Sequence, residues 1–178
     1  MKVITAPEYP TLDYMDVTCF LAGGITNCID WQNEVINQLK DFNEHLVLCN
    51  PRRANFPIND PNASLEQITW EYKFLEKCEI FSMYFDGTDK SDQPICFYEL
   101  GRNIERMKQK FSMNWDKHII ISVDMNFKRA SDVIIQTKLA TNDQVKVNIN
   151  YNSEELIKQH VELIKQSYQF CSKGKYFG

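Results

Sequence analysis

Residues 118–123 read "HIIISV", a short run rich in β-branched side chains. Both of its alternating faces are apolar, which suits a strand covered by helices on each side better than a strand with one wet face. Four more runs share this character: "VTCFLA" (17–22), "HLVLC" (45–49), "EIFSMYF" (79–85) and "QVKVNI" (144–149). Helical patterns alternate with them at about 28–42, 64–77, 93–111, 130–140 and 153–172. The alternation predicts an α/β fold built on a doubly wound, five-stranded parallel sheet with helices on both faces. The first sixteen residues leave room for an edge strand. No repeat, low-complexity tract or linker divides the chain, so residues 1–178 are expected to form a single domain.

The bulk numbers narrow the function classes. The 178 residues are 43% hydrophobic and can fill one core. A net charge of −4 and a pI near 5.4 provide no basic field for phosphate backbones or anionic lipids, so nucleic-acid and membrane partners are disfavoured. "MKVITAPEYP" is too short an apolar segment for a signal-peptide core and no later run approaches spanning length, so a cytoplasmic protein is expected. Cys19, Cys28, Cys49, Cys78, Cys96 and Cys171 are scattered, with no C-x-x-C pair and no cluster with His118 or His160. They read as reduced packing residues, and no metal site is expected.

In a doubly wound sheet, ligands sit beyond the carboxyl ends of the strands. The segments expected at that rim are "GGITN" (23–27), "NPRRANF" (50–56), "DGTDKSD" (86–92) and "DMNFKR" (124–129). Gly23 and Gly24 follow the first predicted strand, where the backbone must turn sharply and can approach a ligand. Neither a G-x-G-x-x-G nor a P-loop pattern is present, so no cofactor is expected. Asp30 suits the first turn of the next helix, and Trp31 suits either packing or stacking on a base. Arg52 and Arg53 fit either a substrate phosphate or structural ion pairs.

The helix after the long loop opens "SLEQ", which predicts a capping box from Ser64 to Gln67. Leu65, Ile68, Tyr72 and Leu75 form its expected core stripe. Trp70 and Phe74 form a second stripe, expected to meet another subunit. Glu71 falls between the two, and helical geometry leaves it either surface-paired or ligand-facing. Asp92 is the expected N-cap of the following helix, with Pro94 in its first turn. Phe97, Leu100, Ile104, Met107 and Phe111 make that helix's core stripe, and Glu99 lies about 110° from the stripe's middle, at its flank. Glu99 gains weight from its neighbours. Asp86 ends the third predicted strand, and Asp92 and Glu71 are expected at the same rim. Crowded carboxylates raise one another's pKa and could supply the nucleophile and acid of glycosyl transfer.

"FLAGGITNCIDWQ", "NPRRANFP", "EQITWEYKFLEKCEIFSMYF" and "PICFYELGRNI", in this order, resemble the nucleoside 2-deoxyribosyltransferase-like family over roughly residues 17 to 137. The resemblance implies a flavodoxin-like fold and transfer of a 2-deoxyribosyl group between bases through a covalent glycosyl-enzyme on Glu99. It further implies that Asp92 holds the sugar hydroxyls and that Phe20, Gly23 and Glu71 hold the base. Members of the family assemble as dimers or larger oligomers up to hexamers in which a neighbour completes each pocket; Asp132 or Asn126 match that contribution here. The hydroxyl-bearing aromatic that orients the nucleophile in such enzymes is replaced by Cys19 and Phe20, which leaves Tyr98 as the nearby hydroxyl. The implied partners are a nucleoside or nucleotide and a free nucleobase. The competing readings are a nucleoside or nucleotide N-glycosidase, a non-catalytic nucleotide-binding protein and a structural subunit.

Overall fold

A computed structural model describes residues 1–57, 59–88 and 90–176, the side chain of Tyr176 apart. Ile58 and Asp89, in the two long rim loops, lie outside the described residues. The chain runs β1 (Lys2–Thr5), β2 (Val17–Gly23), α1 (Trp31–Leu39), β3 (Leu46–Asn50), α2 (Ala63–Lys77), β4 (Ile80–Phe85), α3 (Pro94–Lys110), β5 (Ile119–Asp124), α4 (Ala130–Ala140), β6 (Asn148–Asn150) and α5 (Ser153–Tyr176). The sheet order is β1-β3-β2-β4-β5-β6, and every pairing is parallel.

The sheet therefore has six strands where five were expected. The additional one is the N-terminal edge, whose Lys2–Thr5 pair with Val47–Asn50. The last expected strand shrinks to Asn148–Asn150, and His118 belongs to a 3₁₀ turn (Trp115–His118) that leads into β5. The doubly wound, flavodoxin-like character stands.

Alternation along the central strands divides the core into two layers. From β2, Phe20 and Ala22 face α2, α3 and α4, where they meet Trp70, Leu75, Leu100, Ile104 and Met107. Cys19 and Leu21 face α1 and α5, with Trp31, Val35, Leu39, Leu156, Val161 and Ile164. In that second layer His160 of α5 is fully buried, its Nε2 2.6 Å from Ser82 Oγ and its Nδ1 2.7 Å from Ser122 Oγ. Burial pushes its pKa down to about 3, so the ring is neutral.

Helix α2 turns inward through Trp70 rather than through most of the stripe its pattern suggested, of which Leu75 alone is buried. Leu65, Ile68 and Tyr72 are 68%, 63% and 55% exposed, whereas Trp70 is completely buried. Both stripes satisfy a 3.6-residue period, and the indole decides between them because it removes more apolar area from water and its N–H finds a partner. Trp70 packs on Phe20 and Phe74, and its Nε1 donates to the Glu8 carbonyl at 2.7 Å. Tyr9 stacks on Phe74 from outside. The N-terminal segment thus covers the stripe that a second subunit was expected to cover.

The expected caps also move. Helix α2 starts at Ala63 behind Asn62, with no side-chain cap, and Gln67 turns away to other partners. Helix α3 starts behind Gln93 rather than Asp92, again without a side-chain cap. Asp30 is the N-cap of α1, accepting from the Asn33 amide.

Candidate active site

Strand order reverses between β2 and β4: from β2 the chain passes to β3 on one side, and β4 adds to the other. The crevice that this reversal opens at the carboxyl ends holds a cavity of about 500 Å³. Phe20, Ala22, Gly23 and Gly24 line its sheet side, with Glu71, Tyr72 and Leu75 from α2 and Gln93, Cys96, Glu99 and Arg102 from α3 and its entrance.

The glycine turn is required by close packing. Gly23 has φ +150°, and a Cβ there would stand 2.3 Å from the Tyr84 carbonyl oxygen. A Cβ on Gly24 would meet Cys28 Sγ and the Gln93 amide oxygen, each at 2.5 Å. Arg52 pins the turn from outside. Its Nη2 donates to the carbonyls of Ile25 (2.8 Å) and Ile29 (3.0 Å), and its Nη1 stands 3.4 Å from Asp30. Arg53 pairs with Glu66 at 3.0 Å. Of the two readings of these arginines, the geometry favours structural contacts, and neither lines the cavity.

Among the described residues, Glu71 and Glu99 are the carboxylates that reach the cavity. Burial and the neighbouring charge of Glu71 push the Glu99 pKa up to about 8, an effect that Arg102 partly offsets. Burial likewise raises Glu71, against a hydrogen bond from Gln67. Arg102 stands three residues beyond Glu99, so the helix brings it to the same wall. Its guanidinium is drawn aside by an ion pair with Glu76 and lies 4.5 Å over the Tyr72 ring.

The other expected site residues lie elsewhere. Asp92 is exposed and paired with Lys128. Asp86 is 2% exposed behind the cavity wall, where its carboxylate accepts weakly from the Ile29 amide at 3.4 Å. Trp31 is buried in the opposite layer, stacked on Tyr84 with ring centroids 4.9 Å apart, and its Nε1 donates to the Gly24 carbonyl. It supports the turn from below and offers no face to a base. Asn126 donates to Asp124 (2.8 Å) and to the Tyr151 carbonyl (3.0 Å), and Asp132 accepts from Arg129 (2.9 Å). Of the expected set, the fold brings Phe20, Gly23, Gly24, Glu71 and Glu99 together.

Gln93 was not foreseen. It is buried in a left-handed conformation (φ 47°) directly before Pro94, and its amide bridges both main-chain groups of Asp86. Those bonds anchor the β4–α3 connection and aim the first turn of α3 at the cavity. Nothing local in "SDQP" announces a left-handed glutamine, because the conformation is held by Asp86 rather than by propensity. Among the described residues, no cluster of three or more His, Cys, Asp or Glu could hold a metal ion, and no helix is long and apolar enough to cross a membrane.

The family profile described as nucleoside 2-deoxyribosyltransferase-like matches residues 16–117, a span from β2 to the turn before β5 that contains the whole cavity wall. The chain belongs to the nucleoside 2-deoxyribosyltransferase-like family. No curated protein matches the chain. The matched span includes every residue that lines the cavity, Glu71 and Glu99 among them.

Proposed function

We propose that the chain transfers a 2-deoxyribosyl group between nucleobases, with Glu99 as the nucleophile. The observation that carries this reading is Glu99 itself: a carboxyl of the family's "ELG" segment, inside an apolar cavity, with its pKa raised to about 8 by burial and by Glu71. Ionised Glu99 is disfavoured in the empty cavity and becomes favoured when positive charge develops at the anomeric carbon, so the interaction strengthens toward the transition state. A Glu99 oxygen bonds to C1′ as the C1′–N bond breaks. The bond's electron pair leaves with the base nitrogen, which takes a proton from Glu71, held toward its neutral form by burial. In the second half an incoming base attacks C1′, returns its proton to Glu71 and releases Glu99.

Phe20 provides an apolar surface for base or sugar, and the Gly23–Gly24 turn lets the main chain approach the ligand. Ile68 and Tyr72 of α2, with Ile95 and Tyr98 of α3, are exposed around the mouth. In this reading a second copy covers that apolar face and closes the cavity, as in assemblies of the family.

The test is chromatographic. Incubation with a deoxynucleoside and an acceptor base should yield the exchanged nucleoside, and Glu99→Gln should abolish it. Base release without an acceptor would assign hydrolysis instead. Neither exchange nor release across a panel of nucleosides and nucleotides would overturn the proposal.

A further inference from the structure

Gln67 does not line the cavity, yet its amide ties two parts of the site together. Its Nε2 donates to the Pro51 carbonyl (2.7 Å), just beyond β3, and to Oε1 of Glu71 (2.8 Å), one turn along α2. Its own Oε1 is buried and meets no protein partner. A carbonyl can only accept, so Pro51 fixes which end of the amide faces inward; the reversed amide would set oxygen against oxygen. Both N–H groups are thus engaged, and Glu71 Oε1 is held as an acceptor.

We propose that Gln67 is a positioning residue that decides which of the two cavity carboxyls, Glu71 or Glu99, holds their shared proton. The inference rests on the transferase reading above and deepens it. An N–H directed at a carboxylate favours its ionised form, so Gln67 opposes the effect of burial on Glu71. An ionised Glu71 then repels charge on Glu99, and the proton of the empty enzyme resides on Glu99. The reaction needs the opposite arrangement, with Glu99 ionised and Glu71 acidic. Gln67 therefore sets the free-energy cost of moving that proton.

The other groups that face the pair leave this balance in place. From α3, Arg102, paired with Glu76, offsets only part of the rise on Glu99, and burial keeps the Cys96 thiol neutral. From α2, the Tyr72 ring lies under Arg102. The sheet side and the turn after β2 contribute the uncharged Phe20, Ala22, Gly23, Gly24, Ile25 and Thr26.

The experiment is a titration of the glutamate side-chain carboxyls by ¹³C NMR on the intact, ligand-free protein, with the two signals assigned through Glu71→Gln and Glu99→Gln. Gln67→Met keeps the side chain's length and removes the donor. It should move the Glu99 midpoint downward by about one pH unit, as Glu71→Gln should, because either change removes the facing charge. Combining the two substitutions should give no further shift, since Gln67 acts through Glu71. Gln67→Asn, which withdraws the amide from Glu71, should reproduce the shift and replaces Gln67→Met if that variant does not fold. An unmoved Glu99 midpoint in the Gln67 variants, or a second shift added to that of Glu71→Gln, overturns the inference. Turnover separates the two levels. An inactive protein with the expected shifts defeats the transferase reading and leaves the proton sharing intact, whereas an active protein with an unmoved midpoint defeats the proton sharing alone.

Discussion

Burial and the adjacent Glu71 make ionised Glu99 unfavourable in the empty cavity, and this has two measurable consequences. For catalysis, kcat/KM should fall with pH along a limb centred near 8, because the reaction draws on the one proton that Glu99 and Glu71 share and the ligand-free pair loses it there; initial rates of base exchange between pH 6 and 9.5 check it. Glu99→Gln should lower turnover roughly 10³-fold or more while the circular dichroism spectrum stays unchanged, since an amide of the same shape cannot attack C1′. For stability, the folded chain retains up to about 8 a proton that the unfolded chain releases around the ordinary glutamate value of 4.5. Stability should be fully present below the lower value and decline toward the upper by about 1.4 kcal/mol per pH unit. Urea midpoints of wild type and Glu99→Gln should agree below about 4.5 and separate as pH rises toward 8, because the neutral glutamine variant lacks this decline.

At the scale of single elements, α2 serves two surfaces with two stripes. Its inward stripe is anchored by Trp70, whose indole fills the layer beside Phe20 and bonds to the Glu8 carbonyl. Trp70→Ala should cost about 3–5 kcal/mol in chemical denaturation, and it leaves the Glu8 carbonyl without its donor. Its outward stripe bears Ile68 and Tyr72 beside the cavity mouth. Ile68→Asp should leave the unfolding free energy of a monomer within about 0.5 kcal/mol. If a second copy covers this face, the same change should shift sedimentation velocity toward the monomer. The turn after β2 tolerates less. Gly23→Ala would force a Cβ to within 2.3 Å of the Tyr84 carbonyl, so that variant should lose stability and cavity geometry together.

Across the whole molecule, the two core layers carry buried titratable groups of opposite consequence. His160, neutral between Ser82 and Ser122, is held down to about 3, so folding excludes a proton that the unfolded chain binds below about 6.5. Stability from this group is present above 6.5 and is lost as pH falls toward 3. The Glu99 slope runs the other way between 4.5 and 8. From these two groups the stability profile should therefore be flat between about 4.5 and 6.5 and decline on both sides. His160→Gln should remove the acid limb and leave the alkaline limb, as thermal or urea unfolding at pH 3.5, 5.5 and 8 can show.

The four central strands, their parallel character and the placing of Glu99 near the carboxyl edge of the sheet were legible in the sequence, because β-branched runs alternating with 3.6-residue periods carry them locally. "HIIISV" names a strand covered on both faces, and residues 93–111 name a helix whose flank holds Glu99, without knowledge of anything distant in the chain. Which stripe of α2 turns inward was not legible, since both fit the same period and the choice came from Glu8 and Tyr9, some sixty residues away. The carboxylates that share the cavity were equally a tertiary matter. Asp92 stands close to Glu99 in sequence but points to Lys128, whereas Glu71 is far away and reaches the cavity. Periodicity reports a residue's phase on its own element; which phases face one another depends on packing between elements, and at this crevice that packing selected Glu71, Glu99 and the Gln67 amide that links them to Pro51.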